Sequence, residues 1–213
     1  MYKLIIFDLD GTILNTLEDL ADSTNYALVM NGFSERTMEE VRTFVGNGIG
    51  KLIERAVPAG TDAEVVNKVL ADFTEYYGKH CADKTRPYDG ILELINILRE
   101  RGYQTAVVSN KADFAVQELC EQYFPGLFDF VVGERKEIRR KPAPDSVLEV
   151  LERLHVEKED ALYIGDSEVD VQTAENAGIR QISVEWGFRA RDVLLSCGAE
   201  HIVMKPEEIL ALV

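Results

Sequence analysis

Leu4-Ile5-Ile6-Phe7-Asp8-Leu9-Asp10-Gly11-Thr12 sets four consecutive apolar residues directly before two carboxylates, a glycine and a hydroxyl. An apolar run without polar alternation reads as a strand buried on both faces, as in a parallel sheet. Asp8 and Asp10 stand where that strand ends, and acids two residues apart can point to the same side of an extended chain. Such a pair can hold a cation, and it can divide labour between a nucleophile and a proton carrier.

Downstream of Thr12 the pattern turns helical. Thr16 begins a helix through about Met30 that Asn31-Gly32 ends. Thr37-Met38-Glu39-Glu40 and Thr61-Asp62-Ala63-Glu64 both have capping-box form. Between them Gly46-Asn47-Gly48-Ile49-Gly50-Lys51 is a glycine-rich turn leading into a further helix. From Arg86 helices and strands alternate: strands are expected at Gln104–Ser109, Phe128–Val132, Ala161–Gly165 and Gln181–Val184, with Ile202-Val203 as a last short one. Helices are expected at Ile91–Arg101, Asp113–Tyr123, Asp145–Leu154 and Val169–Ala177, with another starting near Pro206. Strands alternating with helices imply right-handed crossovers and a parallel sheet with helices on both faces. The expected fold is α/β, a Rossmann-like parallel-sheet core formed by residues 1–14 and 86–213, with residues 15–85 inserted as a small α-helical domain.

The net charge is −15, which argues against nucleic-acid binding because that usually needs a basic face. Any anionic substrate then requires a local cationic cluster, which draws attention to Lys111 and Lys141. No stretch approaches the roughly 18 apolar residues of a membrane span. No basic region precedes a small-residue cleavage site, so residence in the cytoplasm is expected. Cys81, Cys120 and Cys197 lack metal-ligand or paired spacing and read as free thiols.

Several expected strands end in polar residues: Asp8, Ser109-Asn110-Lys111, and Gly165-Asp166-Ser167 with Asp170 beyond. Lys141 lies in the loop after the third strand. Open parallel sheets bind ligands at the carboxyl ends of their strands, near the switch in strand order. Asp8, Asp10 and Asp166 offer hard oxygen ligands suited to Mg2+. Ser109, Asn110 and backbone N–H groups near Gly11 can hold phosphate oxygens, and Lys141 adds a compact positive charge. Phosphoryl transfer is the chemistry this inventory suits, because electrostatic positioning is its main requirement. Each group alone has an ordinary alternative: Ser109-Asn110 suits a helix cap, Lys141 could belong to a solvated run with Arg139 and Arg140, and Trp186-Gly187-Phe188 reads as loop packing near the site.

These motifs, in this order, resemble the haloacid dehalogenase-like phosphatases over nearly the whole chain: Asp8-Leu9-Asp10-Gly11-Thr12, Ser109-Asn110, Lys141-Pro142 and Gly165-Asp166-Ser167-Glu168-Val169-Asp170. The helical insert after the first motif matches the family's small cap. The resemblance implies that Asp8 attacks phosphorus and forms an aspartyl-phosphate. Asp10 protonates the leaving oxygen and then activates water, while its backbone carbonyl touches the metal. Gly11, Thr12, Ser109, Asn110 and Lys141 bind the transferring group. Asp166 ligates Mg2+, with Asp8 and Asp170 completing or supporting the metal shell.

Phe44-Val45-Gly46-Asn47-Gly48-Ile49-Gly50-Lys51-Leu52 is similar to the cap loop of phosphoglycolate phosphatases. By that likeness Arg42, Gly46, Asn47 and Lys51 meet the substrate, with Arg42 and Lys51 on its carboxylate. Position 15 departs from the family in being Asn where many relatives have Asp. The expectation is a phosphatase of small phosphorylated metabolites, monomeric or homodimeric, with phosphoglycolate the leading substrate. A phosphosugar mutase and a pyrophosphatase of the same fold remain open, as does a non-enzymatic phosphometabolite-binding module.

Overall fold

The computed structural model describes residues 2–213. In chain order, β1 (Leu4–Phe7) and β2 (Leu14–Asn15) precede four helices, α1 (Leu17–Met30), α2 (Met38–Phe44), α3 (Ile49–Ala56) and α4 (Ala63–His80). Then come β3 (Arg86–Pro87), α5 (Ile91–Glu100), β4 (Gln104–Ala112), α6 (Asp113–Tyr123), β5 (Phe130–Glu134) and α7 (Asp145–Leu154). The last elements are β6 (Ala161–Gly165), α8 (Glu168–Ala177), β7 (Arg180–Val184), α9 (Arg191–Ser196), β8 (Ile202–Val203) and α10 (Pro206–Ile209). Two compact units result, one built from the chain up to Leu14 and from Pro87 onward, the other from Asn15–Arg86.

The first unit is a parallel six-stranded sheet in the order β5-β4-β1-β6-β7-β8. Every residue of β1 is fully buried, which accounts for its unbroken apolar run. Leu4 and Ile6 pack with Ala106, Val108 and Tyr163 against Val147, Val150 and Leu151 of α7 and Ala174 and Ala177 of α8. Alternation sends Ile5 and Phe7 to the other face. There the Phe7 ring meets Phe128 edge-on at 6.3 Å, and Phe128 meets Phe124 at the end of α6. Fully burying such side chains stabilises by about 1.5–3 kcal/mol each, so Ile6→Ala would cost about 2–5 kcal/mol. The chain runs from β1 outward to β4 and β5, then returns to β6 on the other flank of β1. The strand order therefore reverses at β1, and Asp8 follows directly upon it.

The elements differ from expectation at several points. β4 continues to Ala112, because the polar Ser109-Asn110-Lys111 segment stays extended beside β5, with a register shift between Val108 and Ala112. β5 starts at Phe130, two residues late, and α9 is an element the sequence pattern did not disclose. Cys81, Cys120 and Cys197 are free thiols; burial, and secondarily the Asp10 charge, pushes the Cys120 thiol up to about 12.

In the second unit, Leu20, Leu28, Val41, Leu52, Ile53, Val69 and Phe73 supply the buried faces of the four helices. Thr37 and Glu40 form the expected capping box of α2. The second expected box does not form: Asp62 is the N-cap of α4, and the Thr61 hydroxyl donates to the Pro58 carbonyl instead. Asp19, only 2% exposed, accepts from the Lys84 N–H at 3.0 Å, the Thr85 N–H at 2.8 Å and the Thr85 hydroxyl at 2.8 Å. That carboxylate ties the start of α1 to the returning chain.

Candidate active site

Asp8 lies at the end of β1, its N–H donating to the Ile164 carbonyl of β6 at 2.9 Å. Its Oδ1 accepts the Leu9 N–H at 2.7 Å and sits 2.9 Å from Lys141 Nζ. Lys141, 3% exposed, also reaches Asp170 Oδ1 at 2.8 Å and the Tyr163 hydroxyl at 3.0 Å. Burial works to lower the Lys141 ammonium, but the Asp170 and Asp8 carboxylates outweigh it and hold the group charged, well above the usual lysine range. Burial pushes the Tyr163 hydroxyl well up, so it remains protonated. The Lys141 backbone is gripped by Asn110, whose amide donates to the Lys141 carbonyl at 3.0 Å and accepts its N–H at 2.8 Å.

Asp166 follows β6. Its Oδ1 takes the Thr12 hydroxyl at 3.2 Å and its Oδ2 the Phe188 N–H at 2.7 Å. The loop after β7 makes that second bond possible. Trp186 Nε1 donates to the Thr12 carbonyl at 2.9 Å, and a Cβ on Gly187 would lie only 2.5 Å from Asp166 Oδ2 and from the Gly11 carbonyl. Position 187 is therefore closed to any side chain. Asp170, fully buried in the first turn of α8, accepts the Ser167 N–H and hydroxyl on Oδ2 at 3.1 and 2.6 Å. Just outside, Arg189 pairs with Glu168 at 2.7 Å.

One carboxylate oxygen from each of Asp8, Asp166 and Asp170 lies within 4.8 Å of the others. Burial, then the neighbouring Asp170 charge, pushes Asp166 up to about 7. Burial likewise raises Asp8 well above the carboxylate range, with Asp170 and Asp166 adding to it against the pull of Lys141. A buried cluster of hard oxygens short of positive charge fits a divalent cation.

Several residues expected on the phosphoryl group are otherwise engaged. The Gly11 N–H donates to the Leu14 carbonyl and the Thr12 N–H to the Leu9 carbonyl, because the turn after Asp10 closes on itself. The Thr12 hydroxyl is spent on Asp166 and the Asn110 amide on the Lys141 backbone. Ser109, 5% exposed, accepts the Lys111 N–H at 3.2 Å, which leaves its own proton to give. Within the helical unit, Lys51 pairs with Glu54, Arg42 Nε lies 3.6 Å from Glu39, and the side-chain Oδ1 of Asn47 accepts from Arg55 at 2.8 Å. Gly46 adopts φ +125°, a conformation that favours glycine.

Sequence reasoning missed three contributors. The sequence marks Lys111 as a strand-end cation but not its partner: its Nζ sits 2.9 and 3.2 Å from the two carboxylate oxygens of Asp10. Tyr163 was a signal in plain view, since a phenol inside an otherwise apolar buried strand needs a partner for its hydroxyl. The role of Phe188 rests on a backbone N–H, which leaves no mark in a sequence.

The sheet order sets these acids at the carboxyl edge of a parallel α/β sheet, where the strand order reverses and where such sheets bind ligands. The sequence profile of the haloacid dehalogenase-like hydrolases matches residues 5–184. The phosphoglycolate phosphatase of Nitrosospira multiformis is 34% identical over 204 residues, covering 92% of this chain and 90% of that protein. That of Aquifex aeolicus is 30% identical over 191 residues, covering 87% and 86%. Among solved structures, a provisionally named phosphoglycolate phosphatase from Lactobacillus delbrueckii subsp. bulgaricus aligns with a TM-score of 0.94 at 42% identity, covering 98% of this chain and 96% of that one. A predicted one from Haemophilus somnus aligns with a TM-score of 0.92 at 28% identity, covering 99% and 97%. The chain belongs to the haloacid dehalogenase-like hydrolase family and is an enzyme of its phosphoric monoester hydrolase type.

Proposed function

We propose that the enzyme hydrolyses small phosphomonoesters through an aspartyl-phosphate on Asp8, with Mg2+ as cofactor and phosphoglycolate as the leading substrate. The observation that carries this reading is the state of Asp8. Its Oδ1 is held by the Leu9 N–H and Lys141, while Oδ2 takes no hydrogen bond from the described residues. One oxygen is anchored, which supports the other as the attacking atom.

In the first step Asp8 Oδ2 bonds to phosphorus as the bond to the leaving oxygen breaks, and Asp10 gives that oxygen its proton. In the second step Asp10 takes a proton from the attacking water, the acyl-phosphate bond breaks, and inorganic phosphate leaves. Lys141 and the Ser109 hydroxyl would meet the phosphoryl oxygens. Asn110 and Tyr163 would keep Lys141 in place, and Thr12 and Phe188 would orient Asp166. Asp8 and Asp166 would hold the cation, with the Asp10 carbonyl beside them. Asp170, the third member of that cluster, would complete or support the cation's shell and would also act through Lys141 and Ser167. When bound, Mg2+ supplies positive charge between an anionic carboxylate and an anionic phosphoryl group, which otherwise repel.

The helical unit, residues 15–85, is proposed to serve as the cap that reads the leaving group, with Arg42 and Lys51 its candidate contacts. A cytoplasmic setting fits this chemistry; among the described residues no helix is long and apolar enough to cross a membrane. A phosphate-release screen over small phosphorylated metabolites, pyrophosphate and sugar phosphates, with Mg2+ or with excess chelator, tests the reading. Steady, chelator-sensitive phosphate release from phosphoglycolate is expected. Dependence on a bisphosphate primer would point to a mutase, and full activity in chelator would refute the metal assignment.

A further inference from the structure

Lys111 is a buried cation to which the proposed phosphoryl chemistry gives no task. Its side chain is 4% exposed and straddles both oxygens of Asp10 at 2.9 and 3.2 Å. Burying an ammonium costs several kcal/mol unless it is paired, so its placement is built rather than incidental. The backbone around it is equally constrained. A Cβ at Gly133 of β5 would lie 2.5 Å from the Lys111 carbonyl and 2.6 Å from Asp113 Cα, and the Gly133 N–H donates to Asp113 at 2.8 Å. A side chain at 133 would push the Lys111 segment away from the sheet.

The two lysines at this edge differ in what surrounds them. Lys141 contacts Asp8 and Asp170, the acids on the phosphoryl side. Lys111 contacts Asp10, the acid that serves the leaving oxygen if the reading above holds. An atom bonded to Asp10 lies within about two hydrogen-bond lengths, roughly 6 Å, of Lys111 Nζ. A substrate whose alcohol part is itself anionic must bring that second charge past four carboxylates, Asp8, Asp10, Asp166 and Asp170, in a protein of net charge −15. A fixed ammonium on the leaving-group side offsets that repulsion, and its compact, three-donor head suits a carboxylate shared with Asp10.

We infer that Lys111 is a specificity-determining residue, one that selects phosphomonoesters carrying an anionic group one carbon from the ester oxygen. This rests on the proposed role of Asp10, and it places a determinant of substrate charge in the sheet unit itself. Lys51 is, by contrast, half exposed and paired with Glu54 on its own helix.

The test compares 2-phosphoglycolate with its neutral amide of the same size, using 4-nitrophenyl phosphate as a reporter of the basic reaction. The wild-type enzyme should favour the acid over the amide in kcat/KM by about tenfold or more, the range expected for a charged hydrogen bond. In Lys111→Gln the preference should fall to within about twofold of unity, carried mainly by KM for the acid. Lys111→Arg should restore most of it. A Lys111→Gln enzyme that loses equally on both substrates would reduce Lys111 to a prop for Asp10 and overturn the inference. So would a wild-type enzyme that hydrolyses 4-nitrophenyl phosphate but treats acid and amide alike, which leaves the phosphatase reading intact. Absence of all hydrolysis overturns both. If Lys111→Gln shows no cooperative melt, Lys111→Arg decides: a retained preference supports the charge, and a ratio near one refutes it.

Discussion

Tyr163 is fully buried, and its hydroxyl reaches the site only through Lys141 and Asp170. The phenol accepts from Lys141 Nζ and lies 3.2 Å from both the Val108 carbonyl and Asp170 Oδ1. Tyr163→Phe should therefore cost about 1–2 kcal/mol of stability, the value of a buried hydrogen bond. It should lower kcat/KM by less than about tenfold, since Asp8 and Asp170 still hold Lys141. Thermal melts and steady-state kinetics check this, and a loss as deep as that of a missing nucleophile would place the phenol in the chemistry. Asp8→Asn is the opposite case. Turnover should drop by about three orders of magnitude or more while the fold persists. Without metal at pH 8 the variant should melt no lower than wild type, because it removes one charge from a cluster that burial already disfavours. A large loss of melting temperature would mean that Asp8 is needed for folding.

Among the elements, the loop after β7 ties three otherwise distant segments together through Trp186, Gly187 and Phe188. Gly187→Ala must displace either Asp166 or the Gly11 carbonyl, so it should cost about 2 kcal/mol or more and most of the activity. A near-native melt with full turnover would show that the loop yields freely. In the helical unit, Asp19→Ala strands the Lys84 and Thr85 N–H groups and should destabilise by about 2–4 kcal/mol in a denaturant titration. An unchanged midpoint would mean that water replaces the carboxylate. Elements with strong periodicity are legible in the sequence: α6, α7 and β6 fall where the sequence pattern puts them, and β1 is evident from its apolar run. The end of β4 is not, because Ser109-Asn110-Lys111 has loop composition and its extended course depends on partners far along the chain, β5, Lys141 and Asp10. The same division runs through the site. Acids at strand ends announce themselves, whereas the Lys111–Asp10 pair spans 101 residues and follows from sheet order alone.

For the whole molecule, the buried acids link stability to both proton and metal. Asp166 titrates near 7 in the folded metal-free protein, against about 3.9 in an unfolded chain. Between those values the native state binds a proton that the unfolded state lacks, so stability falls as pH rises through that window. Metal-free protein should melt higher at pH 5.5 than at pH 8, and Asp166→Asn should flatten the difference. Mg2+ competes with that proton, so it should raise the melting temperature more at pH 8 than at pH 5.5. A larger Mg2+ effect at the acidic pH would contradict the cluster as the binding place. The order of the strands has a consequence during biosynthesis. Leu4 pairs with Gln104 on one side and with Ala161 on the other, so the central strand is translated first and waits for both neighbours. At about 5–20 residues per second, that greasy tetrapeptide is out of register with everything for several seconds or more. The intervening helices, whose contacts are local, can form on the ribosome in that interval.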